Sequence, residues 1–206
     1  MPSGGRSEAP SPPHGPNGTE PVAKGDGRSA ADMPSVRQRI SARLCWALAT
    51  GGGLGTIPIA PGTFGALPGF ALAAAVHALD RPLLQVGLLL ACSLAAVPIA
   101  SWGERFYGRK DPPPVVIDEI VGLPITAAFV PPTPLHLAAA FLVNRALDII
   151  KPFPARRLQA LPGGWGIVID DVVSSVYAGL MLAGGNRLAG EALAAGVPVG
   201  WLHRLF

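Results

Sequence analysis

The sequence predicts a polytopic membrane protein whose apolar segments form a helix bundle, with a disordered N-terminal arm. Two observations carry this prediction. Half of the 206 residues are hydrophobic and only 14% are charged, a composition typical of membrane proteins. The apolar residues also gather into long segments separated by Pro, Gly or charged residues. The net charge of +3 is spread along the chain, and with no nucleic-acid-binding motif present we expect no nucleic acid partner.

The first 36 residues differ in composition from the rest of the chain. They are rich in Pro, Gly and Ser and carry scattered charges, so they cannot bury enough apolar surface to fold. They also lack the apolar stretch of a secretory signal. We therefore expect a disordered arm over residues 1–36 and one helical membrane domain over residues 37–206.

A short amphipathic helix is predicted next, over residues 36–48. Its arginines are expected on one side and its apolar residues on the other. Such a helix lies at a membrane surface or packs against the rest of the protein, and the pattern leaves both alternatives open.

A loop rich in Gly and Pro is predicted over residues 51–65. It is not a Walker loop, because no Lys-Ser or Lys-Thr pair follows its glycines. Its glycines either expose backbone N–H groups to a phosphate or serve as a flexible connector.

Five apolar segments follow, and several of them are shorter than the ~20 residues that span a membrane. Helix breaks are expected at Arg81-Pro82 and at residues 131–134, which contain three prolines. Whether the third segment crosses fully or re-enters is left open. The segments lie at residues 64–80, 83–101, 117–130, 135–150 and 166–184.

If every segment crosses, the loops alternate between two faces of the membrane. One face then carries more basic residues than the other, and the positive-inside tendency makes that face cytoplasmic. The first face holds Arg105, Arg109, Lys110, Lys151, Arg156 and Arg157, and the second holds Arg81, Arg187 and Arg204.

Two acidic pairs, Asp118-Glu119 and Asp170-Asp171, each follow a β-branched run and lie in apolar sequence. Carboxylates in such surroundings are costly unless a cation or hydrogen bonds compensate them. Together the pairs supply enough oxygen ligands for a hard divalent metal. The alternative for each pair is an acidic helix start favoured by the helix dipole.

A stripe of alternating charge is predicted at Arg145, Asp148 and Lys151, which are spaced three residues apart. Arg145 and Lys151 could capture a phosphate while Asp148 orients them or binds metal. The alternative is an internal ion pair at a helix end that Pro152 terminates. Arg156 and Arg157 follow and are expected near anionic head groups.

Other phosphatase chemistries lack their residues in this chain. Neither Cys45 nor Cys92 is followed by an arginine loop, no Asp-x-Asp-x-Thr or Asp-x-Asp-x-Val phrase occurs, and the four histidines are scattered. A metal that activates water and neutralises phosphate charge is the remaining option, and oxygen ligands favour Mg²⁺ over zinc.

The chain resembles the phosphatidylglycerophosphatase A family of bacterial membrane lipid phosphatases, over roughly residues 46–184. Ordered phrases with matching spacing carry the resemblance. They are Leu48-Ala49-Thr50, the stretch from Gly55 to Gly65, Asp111-Pro112, the stretch from Val116 to Gly122, the stretch from Arg145 to Pro154, and the stretch from Gly163 to Asp171. Asn144, where the family usually has an aromatic residue, Ala155 and Trp165 depart from the pattern.

The resemblance implies an all-α fold and Mg²⁺-dependent hydrolysis of phosphatidylglycerophosphate to phosphatidylglycerol and phosphate, in phospholipid biosynthesis. It implies a bacterial membrane protein, which we place in the inner membrane. The alternation of the five segments makes the protein multi-pass, and the positive-inside tendency puts the active site at the cytoplasmic face. The rival hypothesis is a divalent-cation membrane transporter, which would also place paired carboxylates in apolar helices. A catalytically dead membrane scaffold is a weaker rival.

The predicted site residues fall into three groups. The catalytic candidates are Asp118, Glu119, Asp148, Asp170 and Asp171. The metal ligands among them are Asp118, Glu119, Asp170 and Asp171, which hold one or two Mg²⁺ ions. The substrate-binding candidates are Thr56, Thr63, Arg145 and Lys151.

Overall fold

A computed structural model describes residues 35–194, with side chains as far as residue 191. Within that range the chain is all-helical and contains no strand. The helices are α1 (Val36–Ala49), α2 (Pro61–Gly65), α3 (Leu67–His77), α4 (Pro82–Tyr107), α5 (Ile117–Ala127), α6 (Pro134–Ile150), α7 (Ala155–Leu158) and α8 (Gly164–Ala194), with a 3₁₀ turn at Leu54–Thr56.

The all-α prediction is therefore confirmed, and all five predicted apolar segments form helices. The predicted disordered arm lies outside the described residues except for Ser35 and Val36, and so do residues 195–206 of the predicted domain. The boundary at residue 36 stays a prediction.

Helix α5 forms the centre of the bundle. All of its residues except Ile120 are buried, and it packs against α3, α4, α6 and α8. One core cluster joins Val121 of α5 to α4 and α8, and a second joins Leu123 to α3 and α6. Side chains at the start of α5 are therefore fixed in position by contacts with several other helices.

The predicted helix breaks are confirmed at both places. Pro82 and Pro134 occupy the first positions of α4 and α6, where a missing N–H costs no hydrogen bond. Thr133 caps α6 by accepting a hydrogen bond from the backbone N–H of His136 at 3.3 Å. At the other end, α6 stops at Ile150 and Lys151 takes a left-handed conformation with φ 48° before Pro152.

Two segments differ from expectation. Residues 51–65 are not a plain loop, since they contain the 3₁₀ turn and α2, which Pro61 begins in its first turn. Helix α8 continues to Ala194 although the apolar segment was predicted to end at residue 184. Single glycines cost a helix only ~1 kcal/mol each, and the helix formers around them keep α8 helical.

Among the helices of residues 35–194, two are long and apolar enough to cross a membrane, by length and composition: α4 and the Gly164–Glu191 part of α8. Only 17% of the most apolar stretch of α4 is buried, so its leucine-rich surface faces outward. Helix α5 has 11 residues, well short of the ~20 that span a bilayer, which favours the re-entrant alternative for this segment.

Candidate active site

A polar cleft of about 450 Å³ opens where the segment around α2, the α4–α5 loop and the C-terminal end of α6 meet. We call this the cleft end of the bundle. Most of the predicted site residues line it or contact its lining. The lining residues are Ala60, Pro61, Gly62, Thr63, Asp111, Pro113, Val115, Asp118, Glu119, Arg145, Asp148, Ile149, Lys151 and Gln159.

The first acidic pair lies in the first turn of α5, and both Asp118 and Glu119 are buried. The helix dipole favours carboxylates there, as the simpler interpretation of this pair expects. Position alone does not account for them, however. Asp118 Oδ1 and Glu119 Oε2 are buried without a hydrogen-bond partner, an arrangement that costs free energy unless something else compensates the charge.

The charged stripe of α6 faces the cleft and forms a chain of ion pairs. Arg145 Nη1 lies 2.9 Å from Asp148 Oδ2 and 3.5 Å from Glu119 Oε1. Lys151 Nζ lies 3.6 Å from Asp148 Oδ1. Asp148 therefore stands between the two cations and orients both of them, while Arg145 links α6 to the acidic pair of α5.

The second acidic pair lies in α8, about two turns after the helix begins, so it is not an acidic helix start. Asp170 and Asp171 are buried. Asp170 Oδ2 accepts a hydrogen bond from Lys151 Nζ, and the Asp171 carboxyl lies close enough to Asp148 for the two to interact electrostatically. The structure thus brings both acidic pairs and both cations of the stripe into one cluster.

Mutual repulsion and burial define the electrostatics of this cluster. Burial, followed by the charges of Glu119 and Asp171, raises the pKa of the Asp118 carboxyl well above its ordinary value. Burial acts to lower the pKa of Lys151, but the hydrogen bond and charge of Asp170 outweigh it and raise that pKa. Lys151 is therefore charged at neutral pH. Carboxyl groups outnumber the two cations at the cleft, and their burial beside one another disfavours the charged form of all of them at once.

The donor set fits a hard divalent cation in its chemistry. Each of the four predicted metal ligands has one buried carboxylate oxygen without a hydrogen-bond partner: Asp118 Oδ1, Glu119 Oε2, Asp170 Oδ1 and Asp171 Oδ2. Oxygen donors of this kind are what Mg²⁺ prefers. Among residues 35–194, no three acidic, His or Cys side chains already converge as the ligands of a metal do, so these carboxylates would have to rotate towards an ion.

The two predicted threonines have different positions. Thr63 lines the cleft. Thr56 is exposed, does not line it, and donates its hydroxyl to the carbonyl oxygen of Gly53 at 2.6 Å. Gly62 is part of the cleft wall, because a methyl group added there would come within 2.7 Å of Arg145 Nη2. The glycine-rich phrase is thus a wall of the site and more than a connector.

Backbone strain is concentrated at the cleft. Three residues other than glycine have positive φ in the described part of the chain: Ala60 (50°), Asp111 (46°) and Lys151 (48°). All three line the cleft. Such conformations cost side-chain-bearing residues ~1–2 kcal/mol each and cluster at functional sites.

The structure adds residues that the sequence analysis did not place in the site. Asp111 and Gln159 line the cleft and are joined by a hydrogen bond of 3.2 Å from Gln159 Nε2 to Asp111 Oδ2. In the sequence, Asp111 was marked only by the Asp111-Pro112 phrase, which is one of those that carry the resemblance to the family. Gln159 lies between α7 and α8 and carried no signal, since only the tertiary fold brings it to Asp111.

An acidic cluster beside an arginine and a lysine, opening at one end of a helix bundle, can bind a phosphate group and a cation together. The comparisons with known proteins identify this all-helical protein as a phosphatase that acts on a phosphomonoester. The family model described as Phosphatidylglycerophosphatase A matches residues 47–186, and the chain belongs to that family.

The curated relatives of the chain carry the names of lipid phosphatases. The chain is 37% identical to Phosphatidylglycerophosphatase A of Haemophilus influenzae, over 64% of this chain and 82% of the relative. It is 34% identical to the Escherichia coli protein of that name, over 63% and 76% respectively. It is also 34% identical to a putative phosphatidylinositol-3-phosphatase of Bacteroides thetaiotaomicron, over 66% and 89%. No solved structure matches the chain significantly.

Proposed function

We propose that this enzyme hydrolyses the terminal phosphomonoester of phosphatidylglycerophosphate, releasing phosphatidylglycerol and inorganic phosphate in phospholipid biosynthesis. The observation that carries the proposal is the convergence of Arg145 and Lys151 with both acidic pairs at the polar cleft. Membership of the family and the names of two relatives support the lipid substrate.

The cations of the cleft bind the phosphate in this proposal. Arg145 offers a planar fork suited to two phosphate oxygens, and Lys151 offers a point charge. Asp148 contacts both and acts as a positioning residue. Water attacks phosphorus, the bond to the glycerol oxygen breaks, and that oxygen leaves with a proton as the alcohol of phosphatidylglycerol.

We propose Mg²⁺ as the cofactor, held by Asp118, Glu119, Asp170 and Asp171. The partnerless oxygens of these four residues support this ligand set. When bound, a divalent cation lowers the pKa of water and offsets negative charge on the phosphate. The excess of carboxylates over cations would otherwise repel the substrate, so the cation also makes the cleft receptive to an anion.

We propose a multi-pass location in the bacterial inner membrane, with the cleft facing the cytoplasm. The apolar lengths of α4 and α8 support membrane insertion. The cleft lies beside loops that carry Lys110, Lys151 and Arg156, and the positive-inside tendency supports a cytoplasmic face for them. The acyl chains of the substrate then stay in the bilayer while its head group enters the cleft.

The transporter hypothesis has no support from the described part of the chain or from the relatives. A cation pathway would place its carboxylates midway along the bundle and reach both ends. Here they gather at one end next to two cations, an arrangement that favours an anionic substrate.

Asp170→Asn and Asp171→Asn test the proposal in the purified enzyme. We expect each to lower phosphate release from phosphatidylglycerophosphate at least a hundredfold and to raise the Mg²⁺ concentration needed for activity, because each removes a ligand charge. Mg²⁺ should also raise the Tm of the parent more than that of the variants, since binding stabilises the folded state.

Asp80→Asn, at an exposed position outside the cleft, is the matched control and should leave activity and the Mg²⁺ response unchanged. Near-normal rates in both site variants would reject the metal-binding role. Release from phosphatidylinositol 3-phosphate alone would reject the proposed substrate and keep the reaction class.

A further inference from the structure

A second cavity of about 340 Å³ adjoins the cleft on the side of α7. Lys110, Asp111, Arg156, Gln159 and Ala160 line it. We call it the side cavity. The mechanism proposed above does not use it, and its basic residues contrast with the acidic side of the cleft.

The side cavity and the cleft share one wall. Asp111 and Gln159 line both spaces. A hydrogen bond of 3.2 Å from Gln159 Nε2 to Asp111 Oδ2 joins their side chains within this wall. The two spaces are thus neighbours with a hydrogen-bonded pair of side chains in common. A molecule whose terminal group occupies the cleft can therefore extend past this pair towards the side cavity.

The charge of the side cavity favours an anion. Lys110 and Arg156 are both exposed, and Lys110 Nζ also contacts the carbonyl oxygen of Leu161 at 3.3 Å, which holds the ammonium near the cavity. The one carboxylate in the lining, Asp111, has an oxygen engaged by Gln159. Two cations therefore face a single carboxylate, one of whose oxygens is already hydrogen-bonded.

The neighbouring Arg157 shows that this placement is specific to Arg156. The Arg157 guanidinium lies over the Phe153 ring, 5.1 Å from its centroid, and Arg157 does not line the side cavity. The sequence placed both arginines near anionic head groups, and the structure directs only Arg156 into the side cavity.

We infer that the side cavity binds the phosphodiester of the lipid head group, through Lys110 and Arg156, while the cleft holds the terminal phosphomonoester. Phosphatidylglycerophosphate carries these two phosphates on either side of one glycerol unit, which matches two anion-binding spaces on either side of one side-chain wall. The inference rests on the proposed function and makes Lys110 and Arg156 determinants of substrate specificity.

Lys110→Gln/Arg156→Gln tests the inference by comparing two lipids. Phosphatidic acid carries a phosphomonoester and no phosphodiester. We expect the double variant to raise the KM for phosphatidylglycerophosphate about tenfold, the scale of two exposed charge contacts, with kcat nearly unchanged. The KM for phosphatidic acid should change less than twofold.

Arg105→Gln/Arg109→Gln is the matched control, because it removes the same charge from exposed residues that line neither space. It should change neither KM more than twofold. An equal loss on both lipids, a loss of the same size in the control, or an unchanged KM for phosphatidylglycerophosphate would overturn the inference.

A binding measurement separates this inference from the proposed function. Short-chain phosphatidylglycerol has the phosphodiester without the phosphomonoester, and we expect Lys110→Gln/Arg156→Gln to weaken its binding about tenfold. If the parent binds this lipid in that way but hydrolyses no phosphatidylglycerophosphate, the proposed function fails and the diester site stands. Equal binding by parent and variant would overturn the diester site.

Discussion

Asn144 is a buried residue of α6 whose side chain is hydrogen-bonded to two other helices, α5 and α8. Its Oδ1 accepts hydrogen bonds from Thr126 Oγ1 of α5 at 2.9 Å and from Ser175 Oγ of α8 at 2.8 Å. Because Asn144 immediately precedes Arg145 and lies one turn before Asp148, this contact sets the rotation of α6 that directs both charged residues to the cleft. A residue that departs from the family pattern is thus part of the support of the site.

We predict that Asn144→Leu destabilises the protein by ~1–3 kcal/mol, since it leaves the buried Ser175 hydroxyl without its acceptor. The Thr126 hydroxyl loses one of its two acceptors and keeps the carbonyl oxygen of Ser175 at 3.0 Å. Thermal unfolding in detergent would measure the loss. Adding Ser175→Ala to Asn144→Leu should recover part of the stability, because the unsatisfied donor is then gone, whereas adding Thr126→Val should not, because the Thr126 hydroxyl keeps the Ser175 carbonyl oxygen as its acceptor. A variant with Asn144→Leu and Ser175→Ala is here called the rescue variant. A rescue variant less stable than Asn144→Leu would contradict this account.

Helix α5 packs closely against its neighbours at Gly122. A methyl group added at Gly122 would lie 2.7 Å from Ser175 Oγ and 3.5 Å from Asn144 Nδ2, whereas one added at Gly87 of α4 would meet nothing within 4 Å. The absence of a side chain at residue 122 therefore sets the distance between α5 and α8, and with it the distance between the two acidic pairs.

Gly122→Ala and Gly87→Ala should have opposite effects. We expect Gly122→Ala to cost ~1–3 kcal/mol through overpacking and to reduce phosphate release, because α5 and α8 separate. Gly87→Ala should leave activity unchanged and stabilise α4 by ~0.5–1 kcal/mol. Unfolding temperatures and initial rates of the two variants would provide the comparison, and equal stability of the pair would count against the packing argument.

Helix α1 presents its apolar residues outward. Val36, Ile40, Leu44 and Leu48 recur every four residues and are between 52% and 74% exposed, while the helix packs on the bundle through its other side, where Ala49 is buried. The predicted separation of arginines from apolar residues is incomplete, because Arg37 lies beside the apolar residues by helical spacing. The exposed stripe favours the membrane-surface alternative over the packing alternative.

We therefore expect the stripe of α1 to contact lipid. In proteoliposomes of a chain with Cys45→Ser and Cys92→Ser, a spin label at Leu44→Cys should be more accessible to oxygen and less accessible to a water-soluble nickel chelate than a label at Gln38→Cys. Residue 38 is on the other side of the helix. Equal accessibility at the two positions would argue that α1 is not seated on the bilayer.

The whole molecule has two chemically different ends. The cleft lies at the end where α4 finishes and α5 begins. Elsewhere along α4, an apolar groove lies among Pro82 near its start, Phe129 just after α5, and Val172 and Val176 of α8. Charged and strained residues gather at the first end and apolar ones line the second, as expected of a bundle that meets water and head groups at its cleft.

This polarity predicts the orientation of the protein in the membrane. With Cys45→Ser and Cys92→Ser as background, Arg109→Cys at the cleft end should react with a membrane-impermeant maleimide only from the cytoplasmic side. Asp80→Cys, between α3 and α4, should react only from the opposite side. Labelling of both positions from the same side would contradict the proposal that α4 crosses the membrane.

The amino-acid pattern was sufficient for the helices, and it marked most of the residues that gather at the cleft. Apolar segments bounded by proline predicted α4 and α6 with their starts, because proline acts on the chain locally. The acidic pairs and the charged stripe of α6 marked the site. Charges in apolar sequence are costly unless a partner compensates them, so their presence there needs an explanation. The roles assigned to these residues stay predictions.

The arrangement of those residues depended on contacts between helices far apart in the chain. No local pattern shows that α5 lies at the centre, that Asp148 stands between Arg145 and Lys151, or that Gln159 meets Asp111. Hydrophobicity and charge show whether a side chain must be shielded from water or compensated by a partner, and both properties can be read directly from the sequence. Which partner it finds depends on how the helices pack in three dimensions.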